Sequence, residues 1–396
     1  MATDLSHHIQ DIVVVDTHEH LHKEPQWRGD ESVDVLSDLF QTYVPEDLIT
    51  AGATRAAVDR LLDGSDADID GRWGNVSEAW DTVQFTGYGQ AVRFQARHVY
   101  GIEDITPQTL RSAQDKLSEL RQPGARLHLL RNVAKLDHVQ TDDFLWNCDP
   151  DPSGPEFFLY DLSWADFIGR GIKCEQLADE TGISVSNIAQ LRQAMAAVFE
   201  THGPTAIAVK SQHAYRRTLK WEKHNDEDAE RALQHILKTP EDFPNSPAGR
   251  CLGDWCWARG VELAIEYKLP FKIHTGYYAG NGDMPINRIP AGHMCDLLMQ
   301  YPDARFVMMH IAYPYHEELI AMAKHFPNVY VDLCWAWSIN PFASADFAVA
   351  FCTRCRSTSC SVLVVTPRIP PAPTRIPFKC DDGSRRDCKL RWMMAS

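Results

Sequence analysis

No stretch of this 396-residue chain stays apolar long enough to make a transmembrane helix. The N-terminus, MATDLSHHIQ, lacks the basic start and apolar run of a signal peptide, so a cytosolic location is the expectation. Basic charge is scarce as well: 39 Lys and Arg stand against 54 Asp and Glu, for a formal net charge of −15. Neither nucleic acid nor an anionic membrane is attracted to such a surface, so neither is expected as a partner. A locally basic pocket can still take a small anion, and nothing in the composition excludes a homo-oligomer. No linker divides the chain and no short-period repeat runs through it.

Hydrophobic residues make up 44% of the chain and charged residues 23%, a mix that supports a sizeable core. The first apolar run, 12–15, is short and rich in valine, as a buried strand is. From about 30 to 135 the pattern is mainly helical, with Thr106-Pro107 reading as a cap and first helical residue. Strand-like segments return as LDHVQTDDF, PEFFLYDL, TAIAVKSQ, LPFKIHTG, ARFVMMHIA and NVYVDL, the later ones separated by helix-like stretches. Apolar strands alternating with helices imply a parallel sheet covered by helices. About seven such units after an N-terminal strand suggest a closed (β/α)8 barrel, a TIM-like α/β fold carrying a helical N-terminal insertion. Catalytic residues of such barrels sit at the C-terminal ends of the strands.

The strand ends carry the chemistry. VVVDTHEH ends in His18 and His20, AIAVKSQH in Lys210 with His213 beyond it, FKIHTG in His274, and FVMMHIA in His310. Alternate residues on a strand face the same side, so His18 and His20 form a plausible ligand pair. One histidine after a strand is more often structural; four strand ends that agree point to a metal.

In the order and spacing of DTHEHL, Lys210, KIHTG, MMHIAYP and NVYVDL, residues 10 to 350 resemble the amidohydrolase superfamily, in its amidohydrolase-related branch near the uronate isomerases. The resemblance implies His18, His20 and His274 as metal ligands, with His310 a further ligand or a group that polarises the substrate. Zn²⁺ is the expected ion and would acidify a bound water for attack on a carbonyl. Lys210 either is carboxylated and bridges a second metal, or stays an ammonium facing a substrate anion, or is a buried lysine paired with an acid. Arg28, His213, Arg216, Arg217 and Arg288 would place positive charge near the mouth and favour a carboxylate-bearing small molecule. Tyr215, Tyr277, Tyr278, Tyr313, Trp335 and Trp337 either wall a pocket or pack in the core.

Family members place an Asp, both metal ligand and general base, at the end of the eighth strand. Here the chain reads CTRCRSTSCSVLVVTPRIPP instead, and five of its 11 cysteines crowd there: Cys352, Cys355, Cys360, Cys380 and Cys388. The other six, from Cys148 to Cys334, read as reduced, mostly buried thiols. A zinc module would need a second well-spaced Cys pair. Reading the third base of each codon with the next two, from Phe351-Cys352 onward, permits LHAVPINKLFGFGGDT. That sequence is a helix end, a turn and an apolar strand whose Asp falls where Thr366 now stands. The tail 351–396 is therefore expected to be frame-shifted or disordered, with SVLVV (361–365) apolar enough to fill part of the lost strand's place and Asp332 either the replacement base or a structural acceptor. Hydrolysis is the expected reaction. Uronate isomerisation and decarboxylation use the same ligand frame, and a catalytically inactive barrel is the reading of another class. EQLADETGISVSNIAQLRQAM (175–195) has helix-turn-helix spacing, but its second helix carries only Arg192, too little charge for DNA.

Overall fold

The computed structural model describes residues 13–30, 33–41, 43–277 and 284–354. The short apolar segments form seven strands: β1 (Val14–Glu19), β2 (Leu136–Thr141), β3 (Phe158–Ser163), β4 (Ala208–Ser211), β5 (Phe271–Ile273), β6 (Phe306–Met308) and β7 (Val329–Val331). Spatial order follows chain order, and every neighbouring pair is parallel. Strands covered on both faces read as continuous apolar runs, which is why β4 and β5 are buried at every position.

The sheet curls. In a flat sheet β1 and β5 would stand roughly 19 Å apart, four strand spacings. Yet Lys272 Nζ on β5 donates to the Thr17 carbonyl of β1 at 2.9 Å and to Asp161 of β3 at 2.8 Å. Past β7, Cys334 Sγ lies 4.0 Å from the His18 carbonyl of β1. The two ends of the sheet thus approach each other, as the wall of a TIM-like barrel requires. Among the described residues the wall has seven strands. SVLVV and Thr366, expected to replace the eighth strand and its Asp, lie outside them.

Helices from Glu24 to His128 fill the connection between β1 and β2. They bury a core of their own around Leu36, Phe40, Trp73, Trp80 and Val92. Arg72 is fully buried there, held by both carboxylate oxygens of Asp34 and by the Leu61 and Asp66 carbonyls. Thr106 caps the helix Pro107–Ser112 in a reciprocal bond pair with Thr109, as its sequence predicts. Elsewhere helices cover the outside of the sheet. Two of them, Cys174–Thr181 and Ile188–His202, contain most of the helix-turn-helix-like segment and bury Leu177, Leu191, Met195 and Phe199 in the barrel core. Packing on the barrel accounts for that spacing.

Candidate metal centre

Three strands deliver imidazoles to one end of the barrel. His18 lies within β1 and His20 just past it, with ring centroids 4.5 Å apart. His274 follows β5 and His310 follows β6; their centroids are 4.7 Å apart, with His310 Nε2 3.2 Å from His274 Nδ1. His18 and His310 rings are 5.8 Å apart, which closes the chain of rings. Backbone geometry directs His310 inward: His310, Ile311 and Ala312 all have φ between 49° and 58°, a left-handed run costly for residues with a Cβ. Asp332, after β7, holds that turn. Its Oδ1 accepts the His310 N–H at 2.9 Å and its carbonyl accepts the Ile311 N–H at 3.0 Å.

Around the rings the packing is aromatic and buried. Trp335 lies 4.6 Å from His310 and Tyr215 lies 4.6 Å from His274. His20 stacks on Phe144 at 4.5 Å and its Nδ1 meets the Asp142 carbonyl at 2.6 Å. Lys210, on β4, is fully buried, with Nζ 4.0 Å from Asp142 and 3.2 Å from both nitrogens of His18. An atom equidistant from both nitrogens of one imidazole lies over the ring face, because Cε1–H blocks approach in the plane. Lys210 therefore consumes neither lone-pair direction of His18. Asp142 and Asp161 are the acids whose charge offsets that of Lys210.

Burial dominates the proton affinities. It holds the His18, His274 and His310 imidazoles well below their ordinary range, with Lys210 adding its charge at each. Neutral imidazole is the form that binds metal. Burial also lowers Lys210, against the pull of Asp142 and Asp161. Asp332 is pushed up to about 6 and Asp16 to about 7, again chiefly by burial.

The donor set fits a cation. His274 Nε2, His310 Nδ1 and Asp332 Oδ2 are buried with no hydrogen-bond partner. Leaving one such atom unsatisfied costs about 1–3 kcal/mol, and a bound ligand would relieve that cost. Among the described residues, one trio has its ligand atoms within 4.8 Å of one another: His310, Asp332 and Cys334.

Other residues singled out by sequence stand elsewhere. Arg28 is exposed on the helix Glu24–Gly29, where its Nε donates to the Arg121 carbonyl at 2.8 Å. Arg216 is exposed, and Arg217 is buried against Asp254 at 2.5 Å, its charge neutralised. His213 is buried, with Nδ1 on Ser211 Oγ at 2.7 Å and its ring on Trp257 at 4.2 Å. Arg288 does reach the neighbourhood, with a guanidinium nitrogen 3.5 Å from the Tyr215 carbonyl. Tyr313 meets Tyr277 in a tilted ring contact at 5.6 Å and accepts from Asn340 at 3.1 Å. Trp337 is half-buried against the barrel core, and Tyr278 lies outside the described residues. Sequence reasoning missed Asp142, Cys334 and the Lys272–Asp161 pair. Asp142 had a usable signal, because TDDF places it at a strand end like the histidines.

Residues 215–356, from just beyond β4 through β7, match the amidohydrolase family model. That match spans a little over a third of the chain. Its fold resembles a uronate isomerase from Thermotoga maritima (TM-score 0.69, 14% identity, 89% of this chain and 82% of that one). A candidate metal-dependent hydrolase from Lactobacillus casei is similar over 93% of this chain and 85% of its own (TM-score 0.62, 17% identity). Over 151 residues the chain is 30% identical to protein fluG of Emericella nidulans, covering 36% of this chain and 17% of that protein. The chain thus spans about a sixth of that curated relative. No described helix is long and apolar enough to cross a membrane.

Proposed function

We propose that this barrel is a metal-dependent hydrolase of the amidohydrolase type acting on a small, carboxylate-bearing substrate. The observation that carries the proposal is the convergence of His18, His20, His274 and His310 at one barrel end, with buried ring nitrogens left bare. These four would hold the ion, and imidazole ligands suit zinc. Such an ion supplies Lewis acidity that acidifies water and polarises a carbonyl. The remaining work falls to this chain's own side chains. Asp332 anchors the His310 turn through Oδ1 and keeps Oδ2 free to accept a proton. Lys210 places a cation beside His18, where a substrate carboxylate would find it, and Arg288 offers a second charge at Tyr215. Trp335 and Tyr215 keep bulk water from the rings.

Space for a substrate adjoins His20. A cavity of about 450 Å³ between the barrel and the helical insertion is lined by His20, Trp27, Tyr100, Arg121 and Arg126. Its wall mixes apolar side chains with Arg121 and Arg126 and with the acids Asp30 and Asp38, and its size suits a small molecule. The test is a screen of the zinc-loaded protein against amides, lactones and uronates, with His18→Ala as control. Hydrolysis of a carboxylate-bearing amide or lactone, lost in the control, is expected. Turnover of uncharged amides alone would remove the carboxylate assignment, and uronate isomerisation without hydrolysis would replace the reaction.

A further inference from the structure

The segment after β7 carries Asp332, a proton acceptor in the hydrolase reading, and Cys334, to which that reading gives no role; ligation by Asp332 Oδ2 would replace the proton-acceptor role. Asp332 and Cys334 are one residue apart, both buried, and Cys334 has φ 36°, a left-handed conformation that residues with a Cβ seldom adopt. Strain of this kind persists only where surrounding contacts enforce it, and it gathers at functional sites. His310 sits opposite in a left-handed turn of its own, tied to Asp332 through its backbone N–H at 2.9 Å. The ligand atoms of the three lie within 4.8 Å of one another. Two of the three residues have a bare, buried polar atom, Nδ1 of His310 and Oδ2 of Asp332. Cys334 Sγ lies 4.0 Å from the His18 carbonyl.

We propose that His310, Asp332 and Cys334 form a metal-ligating trio, so that this barrel binds a borderline-soft divalent cation through a thiolate. The inference rests on the reading of the barrel end as a metal centre and adds sulfur to its donor set. An N, O, S set selects zinc or cobalt over magnesium or calcium, which take oxygen ligands. The Asp332 carboxylate needs only Oδ2 for this, since Oδ1 is engaged by His310. Binding displaces one proton from the Cys334 thiol to solvent, and the metal–sulfur bond replaces the S–H bond.

The experiment is cobalt(II) titration of the full-length protein followed by absorption spectroscopy, using a background in which Cys352, Cys355, Cys360, Cys380 and Cys388 are serine. The expected result is an intense near-ultraviolet thiolate-to-cobalt charge-transfer band, lost in Cys334→Ser while weaker cobalt binding survives. Should Cys334→Ser fail to fold, X-ray absorption on the zinc-loaded background protein decides, with a sulfur scatterer expected at about 2.3 Å. Cobalt bound without the band, or a band that persists in Cys334→Ser, overturns the thiolate and leaves the histidine site standing. No cobalt bound at all overturns both readings.

Discussion

Replacing Lys272 by Met removes the cation that ties three strands beneath the imidazoles. Its Nζ bonds Asp161 Oδ1 at 2.8 Å, Oδ2 at 2.9 Å and the Thr17 carbonyl at 2.9 Å. The lysine side chain is 3% exposed and the aspartate 0%. At an effective dielectric constant of about 20 the Coulomb attraction at this separation is roughly 6 kcal/mol, and most of it offsets desolvation. Removing one partner strands the other, so Lys272→Met should destabilise the fold by about 3–5 kcal/mol. Asp161→Asn/Lys272→Met should lose less than the single variant, because no charge is left buried. The deficit also has a definite pH sign. Burial already raises Asp161 above the ordinary carboxylate range against the pull of Lys272, and losing the lysine raises it further. A carboxyl with a raised folded pKa holds its proton in the native state after the unfolded chain has released it. Stability of Lys272→Met therefore falls as pH rises, by up to about 1.4 kcal/mol per unit, until the folded pKa is passed. Urea unfolding followed by circular dichroism at pH 5 and pH 8 measures both effects. A variant within about 1 kcal/mol of the parent at pH 8, or a deficit that shrinks with rising pH, would refute the strut.

In the insertion, Arg72→Met leaves Asp34 without its bidentate partner and should cost about 3–5 kcal/mol, read as early melting of tryptophan fluorescence from Trp73 and Trp80. Gly87→Ala would set a Cβ 1.5 Å from the Ser338 carbonyl, where the insertion meets the segment after β7. It should lower stability by about 1–3 kcal/mol and weaken metal binding together; an unchanged melting temperature would contradict that close approach. Sequencing the gene tests the tail: codons from Phe351 onward should permit LHAVPINKLFGFGGDT in the shifted frame, and a single incompatible codon defeats that origin.

Strand order, the helical connection and the strand-end histidines were legible in the sequence because each is a local pattern: short apolar runs, cap signals, a His at a fixed place. The close approach of His18, His274 and His310 followed from barrel geometry once the strands were placed. What stayed hidden depends on side chains meeting across the barrel. Lys272 reads as one polar residue in an apolar strand until Asp161 and Thr17 are seen beside it. Arg28 and His213 looked like mouth residues by position, yet one turns to a backbone carbonyl and the other packs on Trp257. Cys334 counted as an ordinary buried thiol, since a left-handed backbone at that position leaves no mark in the sequence.

The central claim is that this barrel end holds a divalent cation. Metal content of the purified chain after zinc loading and exhaustive dialysis, compared with His18→Ala/His274→Ala at matched circular dichroism, tests it most directly. The account predicts about one or two equivalents per chain in the parent and a trace in the variant. A folded parent chain that retains no metal, or a variant that retains as much as the parent, would contradict it.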